Sequence, residues 1–133
     1  DQTLCGHHGI RVEPSLETAL EGFVETFGNS RIGIISNTGS LHRRLELEYM
    51  FPYFYLTQTA TKKPRPDAFR EIERKFGLQP SQLAFFGDLT MTDIVGANNA
   101  GWVSVKVKPL APQTDPIGHR IQRIIDRALY TFA

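Results

Sequence analysis

Residues 83–93 read Leu-Ala-Phe-Phe-Gly-Asp-Leu-Thr-Met-Thr-Asp, an apolar run followed at once by a glycine and two spaced aspartates. The apolar run is too short for a helix and predicts a buried strand. Gly87 lets the chain turn sharply where the strand ends, so Asp88 follows the strand and Asp93 starts the next helix. Two carboxylates so placed can surround one hard cation, and such a sparse pair suits Mg²⁺ better than Ca²⁺ or Zn²⁺. The alternative is a helix-capping aspartate beside an incidental acid.

Strands and helices alternate along the rest of the chain. Short apolar runs predict further strands, and apolar side chains at helical spacing predict helices. The strands are expected over 31–36, 54–56 and 102–107, and the helices over 15–27, 40–49, 66–76, 92–99 and 117–132. This alternation is typical of βαβ units, so we expect an α/β fold with three α/β/α layers and a Rossmann-like parallel sheet. Ligands bind such sheets at the carboxyl ends of the strands.

The composition narrows the class of protein. The chain has 133 residues, 41% of them hydrophobic, which is enough for one domain with a core and too little for two. Its formal net charge of +1 excludes a strongly basic nucleic-acid binder. The single cysteine, Cys5, cannot form an internal disulfide, and no apolar run is long enough for a membrane span. We therefore expect a cytoplasmic protein, with Cys5 as a small packed residue.

Two other strand ends carry groups that suit a phosphate. Ser36 and Asn37 follow the strand over 31–36, where hydroxyl, amide and backbone N–H groups can cradle an oxyanion. Lys63, in a Lys-Pro-Arg-Pro run after the next strand, can set its ammonium against a phosphate. Each feature alone is equally typical of a turn or a solvated basic loop. Because the three sets follow successive strands, together they predict a phosphoryl-transfer site.

These residues resemble the motifs of the haloacid dehalogenase (HAD) superfamily of phosphatases. Ser36 matches its second motif, Lys63 its third, and the run from Gly87 to Gly101 matches its fourth nearly letter for letter. The first motif, Asp-x-Asp-x-Thr, is matched in part by the opening Asp1-Gln2-Thr3-Leu4.

In that register Asp1 is the second aspartate, and we expect the nucleophilic aspartate two residues upstream of it. The other register would need threonine at position 5, where Cys5 stands. We therefore expect residues 1–133 to form a single HAD-like domain without its first, central strand, and to have no phosphatase activity as they stand.

The resemblance implies a Mg²⁺-dependent phosphatase that hydrolyses a phosphomonoester through an aspartyl-phosphate. Asp1 would act as general acid and base, and Asp1, Asp88 and Asp93 would serve the metal. The other site residues would bind the substrate or neutralise its phosphoryl group: Thr3, Ser36, Asn37 and Lys63.

The gaps between the motifs are too short for a cap domain, so an open site is expected. The layout is similar to the capless branch that includes the YqeG-like and phosphatidylglycerophosphate phosphatases. On the last helix, arginines recur opposite a row of isoleucines: Arg120, Arg123 and Arg127. They could contact anionic lipid headgroups peripherally, or simply form a solvated face. The expected partners are thus a phosphomonoester, with a membrane lipid as a candidate, and no nucleic acid.

Other interpretations stay open. The protein could be a soluble phosphatase for a small metabolite or phosphoprotein, or a module that binds phosphate or Mg²⁺ without catalysis. A receiver-type signalling domain explains the Lys-Pro-Arg-Pro run and the spaced aspartates less well. His7 and His8, in the loop after the first motif, could touch substrate or be merely exposed.

Overall fold

The computed structural model describes residues 1–131. Its helices are α1 (Pro14–Phe27), α2 (Leu41–Met50), α3 (Asp67–Phe76), α4 (Val95–Ala100) and α5 (Ile117–Thr131). Its strands are β1 (Gly33–Ile34), β2 (Tyr55–Leu56), β3 (Ala84–Gly87) and β4 (Val103–Lys106). Every predicted helix and strand is present in the predicted order. Phe132, which the helical spacing includes in the last helix, lies outside the described residues.

The largest boundary differences lie at β1 and α4. The strand predicted over 31–36 is reduced to Gly33–Ile34, because a 3₁₀ turn occupies Asn29–Arg31 and pairing stops after Ile34. The helix predicted from residue 92 starts instead as a π turn over Thr90–Ile94. The Ile94 N–H reaches back five residues to the carbonyl of Leu89 at 3.4 Å, which widens this turn.

The strands form two parallel pairs. β1 pairs with β2, with Gly33 opposite Tyr55, and β3 pairs with β4, with Gly87 opposite Lys106. Among residues 1–131, no strand joins one pair to the other. The α/β, Rossmann-like fold is therefore present, with its strands in two parallel pairs. That the domain lacks its first, central strand stays a prediction.

The main core lies between α3, α4 and the β3–β4 pair. Phe69 is fully buried, and its ring makes edge contacts with Phe85 and Trp102 at centroid distances of 5.2 and 5.1 Å. Helix α4 approaches closely because Gly96 lacks a side chain, and a Cβ there would lie 2.9 Å from the Phe69 ring. Trp102 is thus a core residue, and Cys5 is buried as predicted, with 2% of its surface exposed.

Helix α5 is oriented differently from the sequence prediction. Its apolar residues Ile117 and Ile124 are 77% and 70% exposed, whereas Arg123 points into the protein and binds Asp88. The prediction of a lipid-facing side chain is therefore wrong for Arg123, because the buried Asp88 carboxylate needs a cationic partner. Arg120 and Arg127 lie on the exposed surface. No helix in residues 1–131 has the length and apolar character needed to cross a membrane.

Candidate active site

The predicted site residues meet in a cleft of about 500 Å³ between the two strand pairs. The carboxyl ends of β1 and β3 face this cleft, together with the loop that opens the chain. Its lining includes every residue predicted for the site: Asp1, Thr3, Ser36, Asn37, Lys63, Asp88 and Asp93. The parallel strands thus bring residues that are far apart in the sequence to the same cleft.

Asp93 holds the loop after β3 in place. Its Oδ2 accepts hydrogen bonds from the backbone N–H groups of Asp88 and Leu89, each at 3.0 Å. Its Oδ1 accepts from the Lys63 ammonium at 2.6 Å. Gly87 makes room for this carboxylate, since a Cβ at position 87 would lie 2.6 Å from the Asp93 Cγ. Both oxygens of Asp93 are thus engaged by the protein.

Lys63 is fixed at the edge of the cleft by contacts from several directions. Its ammonium donates to the Ile35 carbonyl at 3.3 Å, as well as to Asp93, and lies 5.0 Å from the centre of the Phe85 ring. Its backbone is clamped by Asn37, which accepts from the Lys63 N–H at 2.7 Å and donates to the Lys63 carbonyl at 3.1 Å. Asn37 therefore ties the end of β1 to the lysine loop, a role that its position after a strand did not reveal.

Asp88 is 5% exposed, and the side chain of Arg123 neutralises it. The Arg123 Nη2 donates to Asp88 Oδ2 at 2.7 Å, while Nε binds Asp115. Burial opposes the charge on Arg123, but the hydrogen bonds to Asp115 and Asp88 outweigh it and raise the pKa of the guanidinium. Sequence reasoning placed Arg123 on the wrong face, because helical spacing identifies a shared face without saying where it points.

Asp1 is oriented by Arg43, a residue that sequence reasoning missed. The Arg43 side chain is 1% exposed and binds the Asp1 carboxylate through Nη2, while Nη1 donates to Glu46 at 2.9 Å.

Of the two loop histidines, His8 is exposed and His7 is partly buried. Burial lowers the pKa of His7, and the adjacent rings of His8 and His119 act in the same direction. Both histidines line the cleft, beside His119 of α5.

The chain is similar to known proteins in sequence and in fold. A family model described as HAD-hydrolase-like matches residues 60–109, the segment that contains Lys63, Asp88 and Asp93. Among solved structures, a HAD phosphatase from Thermococcus onnurineus superposes with a TM-score of 0.64 at 24% identity. That superposition covers 79% of this chain and 49% of the other, and it shows a shared fold.

Two curated proteins are similar over nearly the whole chain. One is phosphatidylglycerophosphate phosphatase 1, chloroplastic, of Chlamydomonas reinhardtii, 33% identical over 95% of this chain and 48% of that protein. The other is phosphatidylglycerophosphate phosphatase 1, chloroplastic/mitochondrial, of Arabidopsis thaliana, 30% identical over 97% of this chain and 38% of that protein. The chain thus spans about half or less of the length of these relatives.

The fold and the cleft define a HAD-type α/β domain. With the matches in sequence, they place the chain in the haloacid dehalogenase superfamily.

Proposed function

We propose that the protein is a Mg²⁺-dependent phosphatase that hydrolyses a phosphomonoester through an aspartyl-phosphate. The observation that carries this proposal is the Asp93 carboxylate, which joins the Lys63 ammonium to the backbone of Asp88 in one cleft. A fixed ammonium beside a carboxylate suits phosphoryl transfer, in which charge develops on the oxygens of the moving group.

The donor set of the cleft fits Mg²⁺, which prefers one or two carboxylates and several waters. Asp88 and Asp1 would hold the ion, which would neutralise charge on the phosphoryl oxygens when bound. Arg123, which donates to Oδ2 of Asp88, would hold this carboxylate in position for the ion. Asp93 would act indirectly, because its carboxylate accepts hydrogen bonds from the Asp88 backbone N–H and from the Lys63 ammonium.

Asp1 would protonate the leaving oxygen and then take the proton of the attacking water, with Arg43 holding its carboxylate in position. The nucleophile would be an aspartate two residues before Asp1. A strand leading to Asp1 would fill the break between β1 and β3.

We further propose that the substrate is a phospholipid monoester of the phosphatidylglycerophosphate type. The connection from Ser36 to Lys63 holds only α2 and β2, and α1 is the main element between Thr3 and Ser36. Neither connection contains a cap, so the cleft is accessible to a substrate anchored in a membrane. The similarity to two phosphatidylglycerophosphate phosphatases favours the same substrate. Cytoplasmic location stays a prediction.

The test is a phosphate-release assay on the longer protein with its own upstream residues. We expect Mg²⁺-dependent release from phosphatidylglycerophosphate in vesicles, and much slower release from water-soluble phosphomonoesters. Lys63→Ala and Asp88→Asn should each lower kcat by at least about 100-fold. Lys108→Ala, which removes an exposed lysine outside the cleft lining, is the matched control and should leave kcat unchanged.

Residues 1–133 alone should give no turnover, and turnover by them would contradict the proposed register. A longer protein that binds Mg²⁺ or phosphate but releases none would instead favour the non-catalytic module. Faster turnover of a soluble ester would favour the small-metabolite alternative.

A further inference from the structure

A second set of metal-ligating side chains lies at the rim of the cleft. His7, Asp115 and His119 each offer one ligand atom, and these atoms lie within 4.8 Å of one another. They come from separate parts of the chain: the loop after the first motif, the turn before α5, and the first turns of α5. We propose that these three residues bind one Zn²⁺ ion, distinct from the Mg²⁺ proposed for Asp88.

The donor set decides between metals. Two imidazoles and one carboxylate are typical of zinc sites that keep a fourth position for water, whereas Mg²⁺ prefers oxygen donors throughout. Ligand atoms around a tetrahedral zinc are about 3.3 Å apart, as Zn–N distances near 2.0–2.1 Å require. To bind zinc, the ligand atoms of His7, Asp115 and His119 would therefore have to move about 1–1.5 Å closer together. Because His119 is 39% exposed, its ring has room to turn.

The two imidazoles of this cluster are open to an added ligand. His7 Nδ1 is buried and has no hydrogen-bond partner among the described residues, which is costly unless something fills the position. The nearest approach of His119 Nδ1 to Asp115 Oδ1 is 4.0 Å, too long for a hydrogen bond. At 3.9 Å from Asp1 Oδ2, His7 Nδ1 is likewise too far for a hydrogen bond, so neither imidazole is committed to a carboxylate.

Asp115 is held in position by hydrogen bonds from neighbouring side chains, of the kind that orient metal ligands. Its Oδ1 accepts from Gln2 Nε2 at 2.7 Å, and Arg123 binds its Oδ2. Gln2 is itself 2% exposed and is anchored by the backbone of Ala111, from which its Oε1 accepts at 2.7 Å. A carboxylate oxygen has lone pairs for both a hydrogen bond and a metal. The bound ion would thus tie the His7 loop to α5 at the mouth of the cleft.

The test is titration of the protein with Zn²⁺ by calorimetry in excess Mg²⁺, which keeps the oxygen site occupied. We expect one Zn²⁺ per chain, and for Co²⁺ in its place the visible absorption of a low-symmetry site with nitrogen ligands. His7→Ala and His119→Ala should each weaken binding by at least about tenfold. His8→Ala is the matched control. His8 is next to His7 in the sequence, and its ring centroid lies 4.1 Å from that of His7, but His8 is not one of the three proposed ligands.

His42→Ala, on the exposed surface of α2, is a second control for adventitious binding to histidine. Asp88→Asn should retain Zn²⁺, which separates this site from the proposed magnesium site and makes the result independent of activity. Each variant is first checked for native circular dichroism. If wild-type protein binds no Zn²⁺, or if folded His7→Ala and His119→Ala bind it as tightly as the wild type, the proposal is overturned.

Discussion

Replacing Asp93 by alanine tests the interactions that hold the loop after β3 in place. Asp93 is 4% exposed, and its carboxylate accepts hydrogen bonds from the ammonium of Lys63 and from the backbone N–H groups of Asp88 and Leu89. The Thr92 hydroxyl adds a longer one at 3.4 Å. Alanine would leave the Lys63 ammonium without its anionic partner and the two backbone N–H groups without their acceptor, in a largely buried place. We therefore expect Asp93→Ala to destabilise the folded state strongly.

The magnitude follows from these groups. Removing one partner of a buried ion pair costs about 3–5 kcal/mol. Each buried N–H left without a partner adds about 1–3 kcal/mol, less where water from the cleft can replace the carboxylate. Taking the low end for the ion pair and for each of the two N–H groups, we expect a loss of about 5 kcal/mol. Asp93→Asn keeps an oxygen for the N–H groups and loses the charge, so its cost should be about 3 kcal/mol.

The assay is urea denaturation followed by circular dichroism, which gives the free energy of unfolding. Asp67→Ala, at an exposed position in the first turn of α3, is the control and should cost at most about 1 kcal/mol. Equal costs for Asp93→Ala and Asp67→Ala would refute the reasoning. If Asp93→Ala is too unstable to fold, the Asp93→Asn value decides the question on its own.

Two further changes probe packing and charge. Gly96→Ala should cost about 1–3 kcal/mol of stability, since the added Cβ would lie 2.9 Å from the Phe69 ring. Gly22→Ala, where the added Cβ meets open space, should instead stabilise α1 by up to about 1 kcal/mol. Thermal unfolding measures both changes. Burial alone would raise the pKa of Asp115, but hydrogen bonds, first that from Arg123, outweigh it and lower the pKa below the ordinary value. The stability that Asp115 supplies is therefore present above about pH 4 and lost as the pH falls through its lowered pKa. Asp115→Asn should flatten this acid limb in urea titrations, and an unchanged limb would contradict the assignment.

Much of the active site could be predicted from the sequence because its parts are local. Gly87, Asp88 and Asp93 lie within one strand–turn–helix unit, where the backbone itself sets their spacing. Ser36 and Lys63 each follow a strand that short apolar runs identify. Once the strands are parallel, their carboxyl ends meet at one edge, so the cleft lining follows from the order of the elements.

The tertiary structure decided the partners of these groups. Arg123 lies 35 residues from Asp88, and Arg43 lies 42 residues from Asp1, so no local pattern links them. Helical spacing showed which residues of α5 share a face but not which face turns inward. The orientation of α5 follows from its ion pairs, because a buried carboxylate without a cationic partner costs more free energy than an exposed apolar side chain. Arg123 therefore points toward the cleft, and Ile124 is exposed.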